Sequence, residues 1–277
     1  MVFFQPFIFI LLISFMAFGS ARADPCADLA PVRGQSGKDV IWIPTPDQLV
    51  DKMLLAAKVT ETDKVFDLGA GDGIIAITAA RKFGAQSVGI EYNPKMADFA
   101  RCRVKEAGME AKVRVITGDI FQEDFSSASV VTLYLLPELN LRLRPTLLKM
   151  KPGTRVVSNS FNMGDWEADE VISHEYAKAF LWIVPAQVAG EWMFVGMEGG
   201  PIRITFSQNY QNIGGIFTLA SSSYPLVGAK LRGNDISFQF RTSDKNLHTF
   251  SGRISGGSIS GTLNSSGFFS SVVARRL

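Results

Sequence analysis

Between residues 45 and 184 the apolar positions fall into two recurring patterns, short unbroken runs and longer stretches at helical spacing. Leu49, Val50, Met53, Leu54 and Ala57 recur at intervals of three and four, as one apolar face of a helix requires. Thr45-Pro46-Asp47-Gln48 precedes them and predicts a capping box, with Thr45 as N-cap, Pro46 in the first helical position and Gln48 three residues after the cap. Apolar runs at 64–68, 87–91, 113–117, 130–136 and 155–159 read as buried strands. Helices are expected at 73–83, stopped by Gly84, at 94–106, stopped by Gly108, and from Glu138 onward, with Pro145 kinking or restarting the last. Segments 171–176 and 180–184 read as an antiparallel pair that closes the sheet. This alternation predicts an α/β fold, a doubly wound Rossmann-like sheet of seven strands.

Past Pro185 the period changes to two. Ile202-Arg203-Ile204-Thr205-Phe206 and Ile236-Ser237-Phe238-Gln239-Phe240 alternate apolar with polar, and Gly, Asn and Ser punctuate the intervals. About eight short strands from Glu191 onward are expected, forming an appended all-β meander that closes as a small barrel or sandwich. The chain thus divides into residues 1–23, 24–186 and 187–277.

Composition changes this picture in three places. First, 47% hydrophobic and 19% charged residues exclude a disordered chain, and a net charge of +2 does not argue for a nucleic-acid partner. The charge is uneven: from residue 201 onward eight Lys and Arg face two Asp, which leaves 20 basic against 24 acidic residues before it. Second, residues 7–19 are apolar apart from one serine, and Ala21-Arg22-Ala23 follows as an A-x-A cleavage pattern. Residues 1–23 read as a signal peptide, which makes the body an exported, periplasmic or extracytoplasmic protein. Left uncleaved, the same run is long enough to anchor the chain in a membrane, and Arg22, Arg33 and Lys38 after it then favour keeping the body on the cytoplasmic side. Third, Cys26 and Cys102 do not amount to a disulfide framework, and Cys102 reads as a small buried residue on a helix. Neither cysteine has metal-ligand spacing and His174 and His248 stand alone, so no metal is expected.

The chemistry is concentrated in Val65-Phe66-Asp67-Leu68-Gly69-Ala70-Gly71-Asp72-Gly73, with Glu91 at the end of the next strand. A strand running into a glycine turn and then a helix is a cofactor site at the edge of a parallel sheet. A dinucleotide fingerprint places its third glycine at position 74, which is Ile74 here. Asp67, Asp72 and Glu91 repel a pyrophosphate. They suit S-adenosylmethionine, which has a sulfonium, an ammonium and a ribose diol but no phosphate. Gly69, Gly71 and Gly73 let the main chain approach the ligand. Asp67 is assigned to the methionine part, Glu91 to the ribose hydroxyls, and Asp119, at the end of the third strand, to the adenine amino group with Ile120 against the ring.

The segments PTPDQLVDKML, VFDLGAGDGIIAITAARKFGAQSVGIEYNP, TGDIF, VVTLYLLPELNLRLRPTLLKMKPGTRVVSNSFNMGDWE and FLWIVP together resemble a class I methyltransferase family. It includes the mitochondrial protein-lysine methyltransferases that act on the ATP synthase c-subunit and the adenine nucleotide translocase. The resemblance runs from about Ile43 to Pro185 and does not cover the β-rich part. It implies a direct displacement that methylates a protein lysine, with Tyr134 at the acceptor end of the fourth strand as the candidate catalytic residue and Asn159, Phe161 and Trp166 nearby. Trp166 is expected as a core or rim aromatic. The family also carries a hydrophobic N-terminal segment, which favours the anchor reading of residues 1–23. The competing functions are a small-molecule or lipid methyltransferase and an exported, non-catalytic binding protein that retains the cofactor fold.

Overall fold

In the computed structural model, which describes residues 24–35, 41–196, 200–219, 222–242 and 245–277, the expected alternation builds a seven-stranded sheet. Its strands are β1 (Lys64–Leu68), β2 (Gln86–Glu91), β3 (Val113–Thr117), β4 (Val130–Leu133), β5 (Arg155–Asn159), β6 (Glu170–His174) and β7 (Ala177–Ile183). They lie in the order β3-β2-β1-β4-β5-β7-β6, with β1 to β5 parallel and β7 antiparallel to β5. The reversal of strand order between β1 and β4 opens a crevice at the carboxyl ends of the strands, where such sheets bind ligands. Residues 1–23, expected as a signal peptide or anchor, lie outside the described residues. No helix among the described residues is long and apolar enough to cross a membrane.

Helices α1 (Asp47–Ala56), α2 (Ile74–Phe83), α3 (Pro94–Glu106) and α4 (Pro137–Leu147) pack on the sheet. Leu49, Val50, Met53 and Leu54 of α1 are all buried, as their spacing requires. The capping box is not made. Pro46 is the N-cap, no side chain caps the helix, and Thr45 Oγ1 instead accepts from Asn159 Nδ2 at 3.4 Å, so its hydroxyl serves the sheet rather than the helix. β4 is shorter than expected because Pro137 begins α4 and the chain must already leave the sheet at Tyr134. Pro145 sits inside α4 without ending it.

Among the described residues the second sheet has nine strands rather than about eight, all antiparallel: β8 (Gly190–Val195), β9 (Ile202–Asn209), β10 (Asn212–Leu219), β11 (Ser222–Pro225), β12 (Val227–Arg232), β13 (Asp235–Arg241), β14 (Leu247–Ser255), β15 (Ser258–Ser265) and β16 (Phe268–Arg276). The sheet curls into a nearly closed barrel. Its two edge strands, β11 and β12, are consecutive in the chain, and Leu226 between them donates its amide to Gly215 of β10 at 2.9 Å. The interior is filled by Phe194, Phe206, Phe217, Phe238, Phe240 and Phe250, which pack edge-on and offset. Val184 packs in the first core and Ala186 in the second.

Cys26 and Cys102 form a disulfide across 76 residues, which corrects the expectation of two unrelated thiols. Cys26 precedes a short 3₁₀ turn, Ala27–Leu29, that packs on α3, the helix carrying Cys102. Sequence spacing carries no trace of that packing.

Candidate active site

The chain leaves β1 at Leu68 and turns at once. The amides of Gly69 and Ala70 both donate to the carbonyl of Ile90 on β2, at 2.9 and 3.0 Å, and the Gly73 amide closes the turn onto Ala70. The turn works through positive φ angles, 80° at Gly69, 54° at Gly71 and 78° at Gly73. At Gly71 there is a second constraint: a Cβ would lie 3.0 Å from the Trp42 ring, so glycine is what lets that indole lie over the turn.

Asp67, Gly69, Gly71, Asp72, Glu91, Asp119, Ile120 and Tyr134 all line one cavity at the carboxyl ends of β1 to β4. Gly73 does not. It caps the start of α2 and faces Ala100 on α3. The carboxylates differ in what they touch. Asp67 is buried and accepts from Thr132 Oγ1 at 2.7 Å. Burial, aided by the nearby Asp72 and Glu91 carboxylates and opposed by the Thr132 hydrogen bond, pushes its pKa up to about 7. Asp72 is paired with Arg103 of α3 and accepts from the Ile74 amide at 3.2 Å, so it ties the glycine turn to two helices. Glu91 accepts from the Gly71 amide through Oε2 and from the Asn93 amide through Oε1, each at 2.9 Å. Asp119 Oδ1 accepts from the Phe121 amide at 2.9 Å, the turn-forming role available to an aspartate after Gly118.

Sequence reasoning missed one wall altogether. Gln35, Ile41, Trp42 and Ile43 lie across the cavity mouth, where Gly34 and Gln35 pair through backbone hydrogen bonds with Trp42. These residues have no helical or alternating period, so only the short apolar run Val40-Ile41-Trp42-Ile43 marked them. Tyr134, Leu135, Leu136, Leu139 and Phe161 line the cavity from the end of β4, the start of α4 and the segment after β5. The Tyr134 hydroxyl has no hydrogen-bond partner among the described residues and its side chain is half-buried. Asn159 lies below, buried against Thr45. Trp166 is fully buried and belongs to the core.

Electrostatically the cavity is one-sided. Four carboxylates line it and, among the described residues, no Lys, Arg or His does, although Arg103 stands behind Asp72. Such a wall disfavours a phosphate and favours a positively charged ligand. The donor set therefore fits S-adenosylmethionine: carboxylates for the ammonium and ribose hydroxyls, backbone exposed at glycines, and an apolar slot at Ile120 and Met96 for a planar ring.

Comparison with known proteins agrees with this geometry. Residues 67–170 match the family model described as the ANTKMT methyltransferase domain. A protein-lysine N-methyltransferase of Saccharolobus islandicus is 43% identical over 138 residues, which is 49% of this chain and 86% of that protein. The adenine nucleotide translocase lysine N-methyltransferase of Mus musculus is 31% identical over 141 residues, 50% of this chain and 60% of that protein. A crystal structure of an RNA methyltransferase from Salinibacter ruber in complex with S-adenosyl-L-homocysteine superposes with a TM-score of 0.52 at 48% identity, covering 53% of this chain and 96% of that one.

Proposed function

The chain belongs to the ANTKMT methyltransferase family and is an S-adenosylmethionine-dependent methyltransferase; from that premise we propose that its acceptor is the side-chain amine of a protein lysine. The observation that carries this reading is the part of the cavity lining left over from the cofactor residues: Trp42, Tyr134, Leu135, Leu136 and Phe161, aromatic and aliphatic, with no basic side chain among the described residues lining the cavity. A lysine side chain brings an amine at the end of an apolar stem, and the stem matches this lining. An RNA acceptor brings phosphates, and no Lys, Arg or His among the described lining residues is there to take them.

When bound, S-adenosylmethionine supplies an electrophilic methyl group. The chain's own residues bind and align. Asp67 holds the ammonium end, Glu91 the ribose hydroxyls, and Asp119 with Ile120 the adenine. The acceptor enters between Trp42 and Phe161 and meets Tyr134, whose hydroxyl accepts a hydrogen bond from the amine and so holds its lone pair toward the methyl group. Alignment of nucleophile, carbon and leaving group then provides much of the rate. The buried Leu135 and half-buried Phe161 limit water there, which lowers the cost of the neutral amine relative to its ammonium form.

The Cys26–Cys102 disulfide supports an oxidising location for the folded body, outside the cytoplasm, whether residues 1–23 are cleaved or kept as an anchor.

The test is transfer from methyl-tritiated S-adenosylmethionine into an extract of cells lacking this chain, followed by separate protease, ribonuclease and organic-solvent treatments. The proposal requires label that protease releases. Label released by ribonuclease or partitioning into solvent would overturn it.

A further inference from the structure

We propose that the β9–β10 turn of the barrel, through Tyr210 and Gln211, positions the acceptor-side wall of the methyltransferase cavity. The inference rests on the reading that the acceptor enters beside Phe161. It assigns to the barrel a part in the reaction that neither its fold nor its composition announces.

The wall in question is the segment that follows β5. It begins at Ser160 with a left-handed φ of 66°, presents Phe161 to the cavity and continues to Glu167 before β6. Nothing regular holds it, since only a single bridge between Met163 and Trp166 is formed within it. Three outside elements hold it instead. From β7, Trp182 Nε1 donates to the Trp166 carbonyl and the Lys178 carbonyl accepts from the Ser160 amide, each at 2.8 Å. From α4, Asn140 Nδ2 donates to the carbonyls of Phe161 and Asn162 at 3.2 and 3.4 Å, and Arg144 donates to the Met163 carbonyl at 2.7 Å and pairs with Asp165. From the barrel, the Tyr210 hydroxyl donates to Asp165 Oδ2 at 3.0 Å. Gln211 accepts from Trp166 Nε1 at 3.0 Å and donates to the Glu167 carbonyl at 2.7 Å. The Tyr210 ring stacks on Trp166 with centroids 6.1 Å apart.

The barrel turn is thus bonded to three successive residues of the segment, Asp165, Trp166 and Glu167. Asp165 is gripped from both sides, by Arg144 of α4 and by Tyr210. Because α4 also supplies Leu136 at its N-cap and Leu139, both on the cavity wall, displacement of the turn is transmitted to two of the surfaces that would contact an acceptor. The turn itself is built against local preference. Tyr210 has φ 55°, a conformation that glycine or asparagine adopts at less cost than a bulky aromatic. A hairpin turn needing only to reverse the chain has no use for a tyrosine there; one that must reach Asp165 and Trp166 does.

The cofactor side of the cavity is built from β1, β2 and β3, and none of the bonds above touches it. Disturbing the turn should therefore separate acceptor handling from cofactor binding. The full chain is compared with Tyr210→Phe, which keeps the ring on Trp166 and removes only the hydroxyl, with Gln211→Ala, and with Gln211→Glu, which keeps an acceptor for the indole. Phe269→Ser, in an exposed position at the opposite end of the barrel, is the control. Three quantities are measured: the S-adenosylhomocysteine dissociation constant by calorimetry, hydrogen exchange across residues 160–167, and initial rates of tritiated methyl transfer at varied concentrations of extract from cells lacking the chain.

The proposal expects Gln211→Ala to raise the apparent KM for the extract by about tenfold or more, with dissociation constants within about twofold of the parent. Exchange at 160–167 should quicken by about tenfold in Gln211→Ala and less in Tyr210→Phe, with partial recovery in Gln211→Glu and no change in Phe269→Ser. Unaltered exchange and KM in a folded Gln211→Ala would overturn it. So would a rise in the S-adenosylhomocysteine dissociation constant that tracks the rise in KM across the series. Should the parent label RNA or lipid instead of protein, the lysine reading fails, and the same three measurements on that acceptor fraction still decide the role of the turn.

Discussion

Glu91 Oε2 accepts a hydrogen bond from the Gly71 amide at 2.9 Å, so the carboxylate that ends β2 fastens the glycine turn that follows β1. Its other oxygen accepts from the amide of Asn93, the N-cap of α3, at 2.9 Å. Assigning Glu91 only to ribose therefore understates it. Each carboxylate oxygen has a second lone pair, so one side chain can shape the turn and still accept from the ribose hydroxyls.

Replacing Glu91 with alanine should remove both functions. We expect S-adenosylhomocysteine to bind roughly 100-fold more weakly, in line with the loss of about two charge-assisted hydrogen bonds. Glu91→Gln, which keeps one acceptor oxygen, should lie between. Isothermal calorimetry reads both, and equal affinity in all three proteins contradicts the assignment.

Asp67 makes the site pH-dependent. Its folded-state pKa of about 7 lies above the ordinary 3.8, so between those values the folded chain holds a proton that the unfolded chain has released. Its contribution to stability is therefore greatest below the unfolded value, declines as pH rises through that window and levels off above about 7. A bound cation reverses the preference and favours the carboxylate. S-Adenosylmethionine should bind more tightly as pH rises from about 6 to about 8, releasing close to one proton per site near pH 6. Calorimetry in buffers of different ionisation enthalpy measures that proton, and a buffer-independent heat refutes the assignment. Asp67→Asn should lose most of the affinity, and its melting temperature should gain on the parent as pH increases.

Tyr134→Phe keeps the aromatic wall and removes the hydroxyl. The expected result is a fall in kcat of about 10- to 100-fold with cofactor affinity unchanged. Steady-state rates on the labelled acceptor, set beside calorimetry, check it. An unchanged kcat would leave the ring as packing alone.

Much of this arrangement was legible in the chain. The parallel strands and their helices follow from apolar runs alternating with 3.6-residue spacing, and β1, β3, β5 and α3 begin and end where those patterns do. The convergence of Asp67, Glu91 and Asp119 on one cavity follows from their places at the ends of three adjacent parallel strands. What was not legible depends on contacts between segments far apart in sequence. Thr45 looks like a cap because its neighbours have cap spacing, yet Asn159, 114 residues away, takes its hydroxyl. The strap formed by residues 24–35 and 41–43, which carries Cys26 and Trp42, has no period to betray it. The Cys26–Cys102 pairing, and the grip of Tyr210 on Asp165, likewise arise only once the strap and the barrel have docked.

The disulfide ties that strap to α3 beside the cavity. Cys26→Ser with Cys102→Ser should cost roughly 2–5 kcal/mol of stability, since the bridge closes a long loop. It should also weaken S-adenosylhomocysteine binding through looser placement of Trp42. Denaturant melts and calorimetry measure the two effects. Maleimide trapping in intact cells checks the compartment: no thiol should react before reduction if the body lies outside the cytoplasm, whereas two reactive thiols would place it in a reducing environment.

The central claim is that this cavity delivers a methyl group to the side-chain nitrogen of a protein lysine. Tandem mass spectrometry of the protein fraction labelled by the purified chain with deuterated-methyl cofactor tests it most directly. The account predicts deuterated methyl groups on lysine Nε in peptides from extracts lacking the chain, and far fewer at the same sub-saturating cofactor concentration when Glu91→Ala replaces the parent. Methyl groups confined to another residue type, or to nucleotides or lipids, would contradict it.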